Sequence, residues 1–217
     1  MGRLFNGSSD VISNTSIATV GATGSMSLWL QPNWNWNDTA DHPFWMEDGD
    51  FFTFQKYSDN NIYCGFRRGA SDQRISLAAT GLFSSGTWAH WLLTWSNAAG
   101  QTLYKNGVSV GTHSLTYPSP VNPNGLWVGN YGTFTPVNAN ETIADFAYWN
   151  STLSSSDAVN LAAGVRPVNV NSANLKAWWP LDGFSNATEN DISGNANNGT
   201  VTGATPILGP PQLWRLG

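Results

Sequence analysis

The chain has 217 residues, of which 11% are charged, and its formal net charge at pH 7 is −5. A nucleic-acid binder carries a clustered basic face, but here Lys and Arg total 9 and are scattered, so that role is excluded. No apolar run approaches the roughly 20 residues of a membrane-spanning helix, so no membrane partner is expected. Cys64 is the single cysteine, which rules out an intrachain disulfide framework.

The aromatic content (12 Trp, 10 Phe, 6 Tyr) suits half-buried pleated surfaces, while 22 Gly and 11 Pro supply turns. Together they predict an all-β protein with many connections. Leu4-Phe5 leads into the turn Asn6-Gly7. Ser25 to Leu30 alternates polar and apolar residues, as a strand with one buried face does. Phe51 to Phe54 and Ile62 to Phe66 flank Ser58-Asp59-Asn60-Asn61 as a hairpin, and Arg74 to Leu77 is a further strand. Trp88 to Trp95 is long and apolar enough for a central strand. Gln101 to Lys105 and Val108 to Val110 flank Asn106-Gly107, a strong hairpin signal. Leu126 to Gly129 and Ile143 to Trp149 follow.

The period then changes. Residues 154–163 begin with capping serines, and Gly164 and Pro167 follow, which predicts one short surface helix. Leu175 to Leu181 reads as a late strand, residues 191–195 as a turn, and residues 199–203 as a short strand. Strands at this spacing favour a two-sheet sandwich. The Pro-rich tail, residues 208–217, reads as an extended arm.

These motifs resemble the laminin-G-like and concanavalin A-like lectin and glucanase jelly-roll domains. Residues 4–12 are similar to that family's opening strand, and Ser27-Leu28-Trp29-Leu30-Gln31-Pro32 to a second one. Trp88-Ala89-His90 with Leu103-Tyr104-Lys105-Asn106-Gly107 is the most specific match. Residues 143–154 resemble a later strand and helix start. The resemblance implies a two-sheet antiparallel jelly-roll sandwich over residues 1–207, with the helix near 154–163 on its surface. The run Ala177-Trp178-Trp179-Pro180-Leu181-Asp182 with Asp191 to Asn195 comes after the helix, whereas many such domains carry it first. Residues 161–205 look like tailed-phage structural proteins of this fold. The expectation is that residues 175–205 complete the sheet beside the N-terminal strand.

Glucanases of this class use a Glu-x-Asp-x-x-Glu strand, since hydrolysis needs paired carboxylates. This chain has Glu47, Glu141 and Glu189, and Asp145 lies in Ala144-Asp145-Phe146-Ala147, without the pair. No Gly-x-Ser-x-Gly elbow occurs, and Cys64 forms no recognisable signature with His42, His90 or His113. No catalytic residue and no resident metal or cofactor are therefore expected. The acidic run Glu47-Asp48-Gly49-Asp50 lacks the spacing of an EF-hand and reads as a turn, although calcium remains conceivable there.

Asn33 to Asp38 alternates indoles with amides, a pattern suited to sugar, whose rings present apolar faces and hydroxyls. Trp34, Asn35, Trp36, Trp45 and Tyr131 are the candidate glycan contacts, with Phe134 extending them. The N-terminus lacks the apolar segment of a signal peptide. With the phage resemblance, this gives the leading expectation. It is a non-enzymatic virion-surface protein, a capsid decoration or head/tail accessory subunit, made in the host cytoplasm and released by lysis. It would bind the major capsid or tail protein lattice as a homo-oligomer, anchored by Pro210, Pro211, Leu213, Trp214 and Arg215. The alternative is an extracellular lectin-like module that binds surface glycans.

Overall fold

The computed structural model describes residues 1–17, 21–47, 52–68, 71–114, 125–130, 137–183 and 185–210. In chain order its strands are β1 (Gly2–Leu4), β2 (Val11–Asn14), β3 (Thr23–Pro32), β4 (His42–Glu47), β5 (Phe52–Lys56), β6 (Asn61–Arg68), β7 (Ser71–Asp72), β8 (Ile75–Ala78) and β9 (Ala89–Ser96). They continue with β10 (Gly100–Lys105), β11 (Val108–His113), β12 (Leu126–Val128) and β13 (Glu141–Trp149). The helix α1 (Ser155–Ala162) follows, then β14 (Leu175–Trp179), β15 (Thr188–Glu189), β16 (Gly199–Thr202) and β17 (Thr205–Ile207).

Two antiparallel sheets form a sandwich of the jelly-roll class. The eight-stranded sheet runs β11-β10-β9-β3-β13-β1-β17, with β14 also pairing β13. The nine-stranded sheet runs β15-β16-β2-β12-β4-β5-β6-β7, with β8 also on β6. Chain segments after the helix enter both sheets: β14 and β17 in the first, β15 and β16 in the second. β1 lies between β13 and β17, with Arg3 opposite both Ile143 and Pro206.

Aromatic rings fill the space between the sheets. Phe52 meets Trp95 at 4.8 Å between ring centres, Phe54 meets Trp91 at 5.3 Å, and Phe83 stacks on Trp91 at 5.1 Å. Such pairs stabilise beyond their buried area. Met26, Leu28 and Leu30 of β3 point into this core. The outer face of β3 is covered as well, so Ser25 is buried and its polar group must be satisfied locally. Its hydroxyl donates to the Ser151 carbonyl (2.9 Å) and accepts from the Leu153 amide (2.9 Å).

A second, smaller cluster lies outside the eight-stranded sheet. Ala158 and Leu161, one turn apart on α1, pack there with Leu92, Trp149 and Trp178. The helix starts with a capping box between Ser154 and Asp157. It ends in a Schellman motif, in which Gly164 donates to Leu161 and Val165 to Asn160. Gly164, at φ 88°, takes the left-handed conformation that this ending requires. The hairpin between β10 and β11 turns on Asn106 and Gly107, both at positive φ, as a type I′ turn demands.

Some strands were missed in the sequence. β4 contains Pro43, which reads as a strand breaker, and the ladder to β5 shifts register between Pro43 and Trp45 to accommodate it. β15 and β17 are too short to show a period. The arm read from residue 208 onward also needs correction at its root. Pro210 is buried, and Gly209 lies so close to Met1 that a Cβ would sit 2.2 Å from its carbonyl oxygen. The chain is therefore packed through Pro210. Pro211, Leu213, Trp214 and Arg215 lie outside the described residues.

Candidate functional site

One end of the sandwich carries a polar cleft of about 390 Å³ lined by Asn6, Gly7, Ala40, Asp41, His42, Val137, Asn138 and Asn140. Three chain segments build it: the turn after β1, the loop into β4 and the loop into β13. Backbone bonds fix their spacing. Phe5 donates to Glu141 (2.9 Å), Gly7 to Ala139 (2.7 Å) and Ala139 to Gly129 (2.8 Å). The turn itself is an Asx turn, with the Ser8 amide on the Asn6 side-chain oxygen at 2.8 Å. The Asn6 amide donates to Asp10 at 3.0 Å. Asn138 donates to the Ser8 carbonyl and accepts from Asn130.

Behind the cleft lies a buried polar-aromatic stack. Trp34 stacks on His42 with ring centres 3.8 Å apart, and its indole N–H donates to Glu141 Oε2 at 3.0 Å. Glu141 Oε2 also accepts the Asn140 amide at 2.8 Å. His42 Nε2 lies 3.0 Å from Asp38 Oδ1, and its Nδ1 lies 3.6 Å from Glu141 Oε2. Lys56, fully buried, donates to the carbonyls of Asp38 and Ala40. Burial lowers its pKa, against the opposing pull of Asp38. Burial disfavours the charge on Asp38, but hydrogen bonds from His42 and the Ala40 amide outweigh it and hold that carboxyl below its usual range.

This stack revises the proposed aromatic platform. Trp34 is 5% exposed and Trp45 is fully buried in the core beside Phe54. Neither indole can present a face to a sugar. Trp36 is half-buried, packs against the core margin and donates its backbone amide to Phe83 (3.1 Å). Asn35 is exposed, but its side-chain oxygen caps the Ser85 amide at 3.0 Å, so it staples two loops. Tyr131, Phe134 and the acidic run at 48–50 lie outside the described residues. Among the described residues, no group of three or more His, Cys, Asp or Glu side chains could hold a metal ion.

The cleft residues were missed because Asn, Asp and Gly read as turn formers. The signal available was Asn138-Ala139-Asn140, whose turn chemistry does not distinguish a ligand contact from a loop. Chemically, exposed Asn140 brings an amide with one acceptor and two donors and Asp41 adds a carboxylate, whereas the Asn6 oxygen is taken by Ser8 and Asn138 is held between Ser8 and Asn130. Asp41 Oδ1 accepts from the Ser58 amide at 2.6 Å. The set suits a neutral, hydroxyl-rich molecule.

The sandwich is an all-β jelly roll with a lectin-like fold. A family model for the concanavalin A-like lectin/glucanase superfamily matches residues 5–159, and the chain belongs to that superfamily. No curated protein matches the sequence. A Bacteroides ovatus protein, provisionally described as carbohydrate binding, is similar in structure, with a TM-score of 0.71 and 15% identity. The match covers 94% of this chain and 59% of that one, so this chain spans little more than half its length. The heptameric SAP-like pentraxin of Limulus polyphemus matches at TM-score 0.58 and 17% identity, over 76% of this chain and 83% of that one. The ligand binding domain of botulinum neurotoxin serotype D, solved with N-acetylneuraminic acid, matches at TM-score 0.57 and 16% identity, over 73% and 41%. At these identities the likeness is one of fold.

Proposed function

We propose that this protein is a carbohydrate-binding module that holds a neutral saccharide in the end cleft by hydrogen bonds. The observation that carries the reading is the convergence of Asn6, Asn138, Asn140 and Asp41 on one cleft of about 390 Å³. That volume lies in the range of small-ligand sites, which use a few placed polar groups for orientation. The superfamily and the sugar-related descriptions of two similar structures support it. The module acts by binding rather than by hydrolysis. Glu141 is fully buried and already accepts from Trp34 and Asn140, and Asp41 is engaged by Ser58. No cofactor enters the reading.

A glycan array, run with calcium and with EDTA, identifies the sugar, and Asn140→Ala then tests the site. Asn140 is exposed, and among the described residues its side chain has a single hydrogen-bond partner, Asn33 at 3.4 Å. Its loss should weaken binding about tenfold, the worth of one good hydrogen bond, while leaving the fold intact. An array without hits, or full binding by the variant, would overturn the reading.

A second reading concerns where the module works. The resemblance of residues 161–205 to tailed-phage structural proteins supports display on a virion surface, as a decoration protein bound to the capsid or tail lattice. Mass spectrometry of purified source particles tests it. A chain absent from the particles, and found only free, rejects the virion role and leaves the extracellular lectin.

A further inference from the structure

The loop that joins β8 to β9 folds back on the sandwich and closes a small cavity of about 50 Å³. Trp91 of β9 and Lys105 of β10 are cross-strand partners, so their side chains leave the sheet on the same face. That face is the inner one, since Trp91 is fully buried in the core between the sheets. A lysine is out of place there. Burial disfavours its charge and lowers its pKa, and no carboxylate opposes that effect. The Lys105 ammonium donates to the Leu82 carbonyl at 2.6 Å and lies 5.7 Å from the centre of the Trp91 ring.

Both side chains line the cavity, and what they bring to it is donors. The indole N–H of Trp91 is buried and has no acceptor among the described residues. The ammonium has three hydrogens, of which the Leu82 carbonyl takes one. Asn106 spends its side-chain oxygen on the His90 amide at 2.8 Å, which leaves its NH₂ group. Ser84 and Thr87, both exposed, add hydroxyls on the solvent side. Among the described residues that line the cavity, none is acidic.

We propose that this cavity binds a small inorganic anion of chloride size. One water needs about 10–15 Å³ of cavity, so about 50 Å³ admits a halide with a water beside it. Small-ligand sites begin near 300 Å³, which excludes a sugar or a phosphate ester. Water alone can accept from the indole but brings no charge. A chloride accepts from the indole, the ammonium and the Asn106 amide together, and its charge offsets the desolvation of Lys105. The cavity shares no lining residue with the end cleft, so it stands or falls separately from the saccharide reading.

The test is the NMR line width of chloride titrated into the full chain. Sodium gluconate, whose anion is too large to enter, keeps the ionic strength constant. The expected result is excess broadening that saturates below about 0.15 M, the physiological ionic strength, and that bromide displaces. The Trp91 indole N–H resonance should shift with the same midpoint. Lys105→Met keeps an apolar stem without the charge and should weaken chloride binding about tenfold or more. Trp91→Phe, followed by line width alone, should weaken it as well, while Asn140→Ala leaves it unchanged. The fold of each variant is read from its amide spectrum. Where a variant does not fold, the wild-type Trp91 shift decides, because it locates the ion without a substitution. Broadening that never saturates (water only in the cavity), an equal Trp91 shift with gluconate, or full chloride binding by folded Lys105→Met would each overturn the proposal.

Discussion

Asp145 should make the protein's stability depend on pH in a way that one substitution removes. The carboxyl is buried, and burial raises its pKa from the ordinary 3.8 to about 7, against the lowering influence of the Trp178 N–H. The folded state thus keeps a proton that the unfolded chain releases. Stability then falls as pH rises from 3.8 toward 7 and is flat above that. At about 1.4 kcal/mol per pH unit, the whole span is on the order of 4 kcal/mol. The acid part is hard to reach, because the charge vanishes near the isoelectric point of about 4.9 and solubility drops with it. Between about pH 5.5 and 8 the accessible share is about 2 kcal/mol. Asp145→Asn lacks the titration, keeps an oxygen for the Trp178 N–H, and tolerates the left-handed backbone. Urea unfolding of both proteins, followed by Trp fluorescence across that range, measures the difference directly. Other shifted groups, such as Asp10 and Glu189, cancel in the comparison. The wild type should lose about 2 kcal/mol relative to the variant as pH rises. A difference that stays constant with pH would refute the reasoning.

Three further outcomes follow from packing. Trp34→Phe keeps a ring against His42 but removes the N–H from Glu141, and should cost about 1–3 kcal/mol in urea unfolding; an unchanged midpoint would count against that hydrogen bond. Gly129 sits at φ 86°, and a Cβ there would lie 2.3 Å from the Phe5 ring. Gly129→Ala should therefore lower stability by about 1–3 kcal/mol or more, checked by thermal denaturation. Burial raises the pKa of the Cys64 thiol well above its ordinary value, so Ellman's reagent should react only as the protein unfolds. Stoichiometric reaction in native buffer would contradict the burial.

The parts of the fold that were legible in the sequence are those specified locally. The alternation along Ser25 to Leu30 marks β3, Asn106-Gly107 marks the hairpin of β10 and β11, and Ser154 with Gly164 marks both ends of α1. Each depends on residues within a few positions of one another. The candidate site is specified the other way. Whether Trp34 faces solvent is decided by Glu141, which is 107 positions away and supplies a buried acceptor for its indole. A run of alternating indoles and amides cannot reveal that partner. Asp145 is a similar case: its neighbours read as an ordinary buried strand, and only the paired strand β3 shows the register shift that turns it. The cleft asparagines come from three loops, so no short window contains them.

The position of β1 sets a schedule for the growing chain. Residues 2–4 are synthesised long before their partners, since Arg3 faces Ile143 on one side and Pro206 on the other. At about 5–20 residues per second, the first partner arrives about 7–30 seconds later and the second about 10–40 seconds later. Until then Phe5 and Ile12, both fully buried at the end, have no finished core to enter. The nascent protein therefore carries this apolar segment for that interval without the strands that will flank it.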